Sequence, residues 1–177
     1  MPNRKLALSF IFLTALIDSI GFGILMPVLP NLYMEITGEG LAQAAIYGGW
    51  LLFAYAIMQF FFAPVLGNLS DAYGRKPVLM ASMIALCVNY LIMGFAGSLL
   101  VLFIGRFVSG IGAATFSTCN AYIADTIPVE ERAQYFGLTG AAFGAGFVIG
   151  PVLGGFLGEI GSRVPFFATA ALIFANL

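Results

Sequence analysis

Long apolar runs alternate along the chain with short segments that are rich in glycine, proline or charge. A membrane helix needs about 20 mostly apolar residues to cross a hydrocarbon core of roughly 30 Å. The pattern therefore predicts five complete spans and a sixth run that is too short to cross, so the chain is expected to be a fragment. The predicted helices cover residues 6–30, 44–66, 77–96, 99–124, 134–158 and 164–177, the last of them incomplete.

The composition also indicates a membrane protein. Hydrophobic residues make up 61% of the chain, charged residues 8%, and the mean hydropathy is +1.02. Soluble domains are typically about a quarter charged, so an all-α bundle in contact with membrane lipid is the expected fold class. Seven Lys and Arg residues in the whole chain exclude a basic nucleic-acid-binding surface.

Several chemistries are excluded by residues that the sequence lacks. There is no histidine, so a Ser–His dyad and a His-ligated metal site are impossible. No P-loop motif for direct ATP hydrolysis is present. Cys87 and Cys119 fall in apolar runs without paired spacing, which favours buried free thiols. We therefore expect no enzyme activity, no metal site and no bound cofactor.

The basic residues of the short polar segments predict the orientation. Five of the six (Arg4, Lys5, Arg75, Lys76 and Arg132) fall on one side of the predicted spans, and only Arg163 falls on the other. Cytoplasmic loops of membrane proteins carry the excess of Lys and Arg. This predicts a cytoplasmic N-terminus and a cytoplasmic connection between predicted helices 2 and 3.

Two ionisable residues, Asp18 and Arg106, fall within predicted spans, where charges are costly and usually functional. At 1.5 Å per residue, Asp18 lies about 18 Å and Arg106 about 20 Å from the cytoplasmic edge. The similar depths predict that the two side chains pair if helices 1 and 4 are neighbours, either in proton coupling or as a static ion pair. Gln59 and Asn89 fall at similar depth, where each either faces a substrate or bonds a neighbouring helix.

Predicted helix 5 carries glycines at four-residue spacing, namely Gly146, Gly150, Gly154 and Gly158. Such a line of glycines lets two helix backbones approach closely in lipid. Pro151 lies within it and is expected to bend the helix.

Four segments together carry a family resemblance. "GNLSDAYGRKP" (67–77) resembles the signature G-x-L-S-D-R-x-G-R-R-P between helices 2 and 3 of the major facilitator superfamily. "LIDSIGFGILMPVLP", "GRFVSGIGAA" and "GFVIGPVLGG" resemble three motifs of its drug:proton antiporter branch. "YAIMQFFFAPVLG", "AYIAD" and "PFFATAAL" are similar to tetracycline efflux proteins. The chain departs from these patterns at Ala72, where the family usually has arginine, and at Asn89, where tetracycline exporters carry an acid.

The resemblance implies most of the N-terminal six-helix half of a twelve-helix transporter, with the C-terminal bundle absent. It implies proton-coupled efflux of a small drug-like molecule such as a tetracycline across the cytoplasmic membrane, driven by the proton gradient. The alternatives are transport of another drug or a metabolite, a passive channel, or an inactive truncated product. The implied sites are a proton-coupling pair (Asp18, Arg106), a gating motif (Gly67, Asp71, Gly74, Arg75, Lys76), an antiporter motif (Gly146, Gly150, Pro151, Gly154, Gly155) and substrate-facing candidates (Gln59, Asn89).

Overall fold

The computed structural model describes residues 4–177, with side chains from Leu8 onward. This part of the chain forms seven α-helices and no strand. The helices are α1 (Arg4–Thr37), α2 (Leu41–Tyr73), α3 (Arg75–Phe95), α4 (Leu99–Ile111), α5 (Thr115–Thr126), α6 (Val129–Ile160) and α7 (Val164–Ala175).

Five segments of the described chain are long and apolar enough to cross a membrane. They are α1, α2, α3, the α4–α5 pair and α6, while α7 is a shorter apolar helix. The predicted all-α class, with five spans and a short sixth, is confirmed.

Most helices extend beyond the predicted ends. Helix α1 continues through Pro27 and past its predicted end at Pro30 to Thr37. Prolines are tolerated within membrane helices because neighbouring helices can satisfy the backbone groups that they free. Helix α2 likewise runs on to Tyr73, so the polar segment predicted as a loop is mostly helical. Only Gly74 separates α2 from α3, and its φ of 96° is one that glycine adopts without strain.

The fourth predicted span is present, but it consists of two helices and not of one. Residues 112–114 interrupt it between α4 and α5. Glycines have low helix propensity, and Gly110 and Gly112 fall where the helix ends. Both also pack tightly: a Cβ on Gly110 would lie 2.5 Å from the Tyr55 carbonyl oxygen, and one on Gly112 would lie 2.4 Å from the Ala85 Cβ. Close packing leaves no room at these positions for larger residues, which form helices better than glycine does. The glycines that the packing requires therefore favour a break in the helix.

The helices pack in a bundle in which α1 lies along α6, α2 along α4, and α3 beside α4 and α7. The largest buried cluster joins α1, α2, α3, α4 and α7, and its fully buried members include Leu32, Leu51, Met93, Leu102 and Phe166. Large apolar side chains also cover the outer faces, among them Phe95, Leu100 and Phe156. An apolar exterior around a packed interior suits a bundle surrounded by lipid.

Candidate functional site

A large cavity of about 850 Å³ opens between α1, α2, α3, α4, α5 and α6. Its volume falls in the range of ordinary ligand pockets. All four polar residues predicted within the spans line it, namely Asp18, Gln59, Asn89 and Arg106. The structure thus brings together side chains that come from four different helices.

Asp18 and Arg106 border this cavity without forming a salt bridge within the described part of the chain. The predicted ion pair is therefore not present in this conformation. Helices α1 and α4 barely contact each other, so similar depth does not bring the two side chains together. Arg106 is only 4% exposed, and its buried Nε has no hydrogen-bond partner among the described residues. A buried guanidinium with an unpaired nitrogen is costly, and it is ready to bind an anion or an acceptor group.

The two predicted substrate-facing amides have different surroundings. Gln59 Nε2 donates a long hydrogen bond of 3.5 Å to the Ala113 carbonyl, which lies in the break between α4 and α5. Gln59 therefore bonds a neighbouring span while also lining the cavity. Asn89 is 1% exposed, and within residues 8–177 its Oδ1 has no hydrogen-bond partner. Because a buried amide oxygen is costly to leave unpaired, Asn89 is the stronger candidate for contact with a ligand.

One wall of the large cavity is aromatic. Phe147 lies between Phe143, at a ring-centroid distance of 4.9 Å, and Phe22, at 5.5 Å. Phe116 extends this row from α5, 5.3 Å from Phe143, and Tyr55 extends it from α2, 6.4 Å from Phe22. Aromatic rings offer large apolar faces with preferred stacking geometries. The sequence analysis did not single out these residues, since their helices meet only in the folded bundle.

The gating motif is centred on Arg75 at the start of α3. Its Nε donates to Asp125 Oδ2 at 2.7 Å, and its Nη1 contacts Asp71 and the Ser70 hydroxyl. One guanidinium thus links the end of α2 to the end of α5. Lys76 is exposed, and a Cβ on Gly67 would meet no atom within 4 Å.

Asp125 is a candidate site residue that sequence reasoning missed, because it contacts Arg75 of the gating motif. It closes the "AYIAD" segment on the predicted cytoplasmic side, the same side as Arg75. The position of both residues on the same predicted side was the signal in the sequence that could have suggested their contact.

The charged residues of the connections separate to the two ends of the bundle. Arg132 donates to the Ile127 carbonyl at 2.9 Å, close in sequence to Asp125 and hence at the Arg75 end. At the opposite end Arg163 contacts Glu35 at 3.4 Å and donates to the Gly94 carbonyl at 3.2 Å. This arrangement agrees with the predicted sides. The side chains of Arg4 and Lys5, which belong to the same prediction, lie outside the described ones.

The antiporter motif forms the contact between α6 and α1. A Cβ on Gly146 would lie 2.9 Å from the Ile20 nitrogen, and one on Gly154 would lie 2.7 Å from the Ile24 carbonyl oxygen. Between them, Gly150 packs against Gly23, and Pro151 lies beside the same glycine. Gly155 points elsewhere, with no atom within 4 Å of a Cβ built there, and Gly158 is in ordinary contact with Val28 at 3.8 Å.

The described residues contain no group of three or more His, Cys, Asp or Glu side chains that could hold a metal ion. Cys87 and Cys119 are free, Cys119 buried and Cys87 half-buried.

The sequence matches the Major Facilitator Superfamily over residues 11–177. The chain is 47% identical to the tetracycline resistance protein, class C, of Escherichia coli over 171 residues, which is 97% of this chain and 43% of that protein. It is 46% identical to the class H protein of Pasteurella multocida over 160 residues, 90% of this chain and 40% of that protein. Multidrug resistance protein 1 of Bacillus subtilis (strain 168) is 33% identical over 172 residues, 97% of this chain and 43% of that protein.

Among solved structures, the human organic anion transporter MFSD10 (TETRAN) superposes with a TM-score of 0.83 at 22% sequence identity. The superposition covers 99% of this chain and 46% of that one, and at this identity it shows the fold alone. The chain spans less than half the length of these relatives. With the family match extending over nearly the whole sequence, the chain belongs to the major facilitator superfamily.

Proposed function

We propose that this chain forms most of the N-terminal bundle of a proton-coupled drug exporter in the cytoplasmic membrane. The relatives that are 46–47% identical are named as tetracycline resistance proteins, and the more distant one as a multidrug resistance protein. Transporters of related folds place the substrate near the bilayer midplane, between two structural repeats. A second six-helix bundle is the partner that this arrangement requires, with membrane lipid around both.

The observation that carries the proposal is the position of Asp18. It is the one carboxylate on the described lining of the large cavity, and it makes no salt bridge there. An unpaired acid that faces a cavity can exchange a proton with the water inside it. Asp18 would take up a proton when the cavity opens outward and release it when the cavity opens to the cytoplasm. Drug movement in the opposite direction would complete the exchange, so the proton gradient is the energy source and no cofactor is needed.

Arg75 and Asp125 support the proposed gating role of the motif at residues 67–77. The ion pair joins the α2–α3 junction to α5 at the end of the bundle that we assign to the cytoplasm. Asp71 contacts the same guanidinium and is well exposed, so it remains accessible to the second bundle. We infer that these charges latch the two bundles together when the cavity faces outward.

Asn89 bears on the choice of substrate. The amide takes the position at which the resembling tetracycline exporters carry an acid, so one negative charge facing the cavity is lost. A metal chelate of tetracycline is cationic and would bind less favourably here than in a cavity with that acid. Because one wall of the large cavity is aromatic, we propose a flat aromatic drug as the substrate class. Tetracycline is the first to test, and uncharged aromatic drugs are the second. Transport of a metabolite is the alternative.

The test uses inverted membrane vesicles that contain the full-length protein to which these residues belong. Proton-driven accumulation of tetracycline and of a neutral aromatic drug is measured for the parent protein, Asp18→Asn and the control Glu39→Gln. Glu39 is exposed and does not line the cavity. Asp18→Asn should abolish accumulation against a gradient yet retain downhill exchange, because the amide keeps the cavity and removes the titration. Proton-driven accumulation by Asp18→Asn at the parent rate would overturn the assignment.

A further inference from the structure

A second, small cavity of about 340 Å³ lies between α1 and α2. It shares Phe22, Leu25, Tyr55 and Arg106 with the large cavity, and the rest of its lining is its own. The residues that line only the small cavity are almost all apolar, including Met26, Leu29, Ala44, Gly48, Gly49 and Leu52. Its volume is at the lower end of the range for ligand pockets.

Besides Tyr55, which also lines the large cavity, two polar groups interrupt this apolar lining. The Tyr33 side chain is 2% exposed, and its hydroxyl has no hydrogen-bond partner in the part of the chain that the structure describes. The Arg106 guanidinium interacts electrostatically with that hydroxyl and lies near hydrogen-bonding distance of it, but no hydrogen bond of normal geometry satisfies the hydroxyl. Leaving a buried donor unpaired costs about 1–3 kcal/mol, so both groups favour a ligand that accepts hydrogen bonds.

The charge of the lining indicates the kind of acceptor. Arg106 is the only charged residue on the described wall of the small cavity, and no acid lines it. Asp18, which lines the large cavity, is not part of this wall. The guanidinium fork matches a carboxylate in shape and charge, and the phenol adds a second donor. The apolar walls then accommodate a small hydrocarbon body.

We propose that the small cavity is a second ligand site, which binds a small aromatic monocarboxylate with its carboxylate between Arg106 and the Tyr33 hydroxyl. The ring lies over Gly48 and Gly49, where the absence of side chains leaves room. Binding at this site requires neither Asp18 nor a proton gradient, although Arg106 and three other residues of its wall also line the large cavity.

The test is equilibrium binding to the purified full-length protein in lipid nanodiscs without a gradient. Calorimetry compares benzoate with benzyl alcohol, a neutral probe of similar shape. Benzoate should bind clearly more tightly, because only its carboxylate engages the guanidinium. Equal affinity for the two probes would overturn the proposal.

Two variants locate the binding site. Tyr33→Phe removes the hydroxyl alone and should weaken benzoate binding about tenfold, as expected for the loss of a hydrogen bond to a charged group. Gly49→Leu should abolish binding by filling the cavity, since a Cβ on Gly49 meets no atom within 4 Å and the fold should tolerate the change. The matched control is Gly137→Leu on α6, which is equally open and lines neither cavity. Unchanged affinity in Tyr33→Phe and Gly49→Leu would contradict the assignment.

A photoreactive analogue distinguishes the two cavities directly. After irradiation with 4-azidobenzoate, peptide mapping should find the label on the segments around Tyr33 and Gly48, and excess benzoate should prevent it. Labelling confined to the segments around Gln59 and Asn89 would place the carboxylate in the large cavity and overturn the proposal.

Discussion

Gly150 on α6 lies directly against Gly23 on α1, with no side chain between the two backbones. A Cβ on Gly150 would lie 2.7 Å from the Gly23 Cα and 2.7 Å from the Ile20 carbonyl oxygen. Both neighbours are backbone atoms, which cannot move aside as a flexible side chain can. Any larger residue at this position must push the two helices apart.

Gly150→Ala should therefore destabilise the bundle, whereas Gly155→Ala on the same helix should not. A Cβ at Gly155 meets no atom within 4 Å, so the second variant is a matched control. Overpacking a tight contact costs about 1–3 kcal/mol. Thermal unfolding of the purified proteins in detergent, followed by size-exclusion fluorescence, measures the difference. Equal melting temperatures for the two variants would contradict the backbone contact.

The ion pairs of Arg75 should matter more for transport than for stability. Asp71 and Asp125 are each more than half exposed, at 62% and 55%, and exposed ion pairs contribute only about 0–1 kcal/mol. Arg75→Lys keeps the positive charge but loses the planar guanidinium, whose separate nitrogens contact both carboxylates at once. We expect a transport rate at least about tenfold lower, with a change in unfolding free energy below about 1 kcal/mol.

Arg132→Lys is the matched control for this experiment. It preserves charge at the same end of the bundle, and the bond it loses goes to the nearby Ile127 carbonyl and not to another span. Initial rates of drug uptake into inverted vesicles compare the two variants at equal expression. Similar rates for Arg75→Lys and Arg132→Lys would argue against a gating role for Arg75.

The orientation can be tested with single cysteines at the two ends of the bundle. In a protein whose Cys87 and Cys119 are replaced by serine, Asn68→Cys should resist an impermeant maleimide added to intact cells. Glu39→Cys, at the opposite end of α2, should react readily. Both positions are exposed, so access from one side of the membrane decides the result. Labelling of Asn68→Cys alone would invert the proposed topology.

The spans were predictable because a membrane helix needs about 20 apolar residues, and runs of that length can be recognised directly in the sequence. The helix ends were less so: Thr37 and Tyr73 close helices well past the apolar runs, and local residue preferences do not encode that extension. The side of each charged connection was also predictable, since it depends only on the order of the spans. The spans and the sides of the connections thus depend only on local composition and on the order of segments along the chain.

The contacts between side chains were not predictable in the same way. Depth along a helix follows from residue number, but each residue also turns the side chain about 100° around the helix axis. Asp18 and Arg106 have similar depths and yet do not pair. Arg75 and Asp125 are 50 positions apart, and their contact depends on how α3 and α5 pack. The row of rings around Phe147 requires the placement of four separate helices.

The single-residue connection at Gly74 leaves the chain no slack between α2 and α3. Inserting one residue between Asp71 and Gly74, as a continuation of α2, would turn the start of α3 by about 100° around the α2 axis and shift it by about 1.5 Å. The Arg75 side chain would then turn away from Asp71 on α2 or from Asp125 on α5, because it could not follow both. The length of this connection therefore fixes the angular phase between two spans, and the geometry of the ion pairs depends on it as much as on the charges themselves.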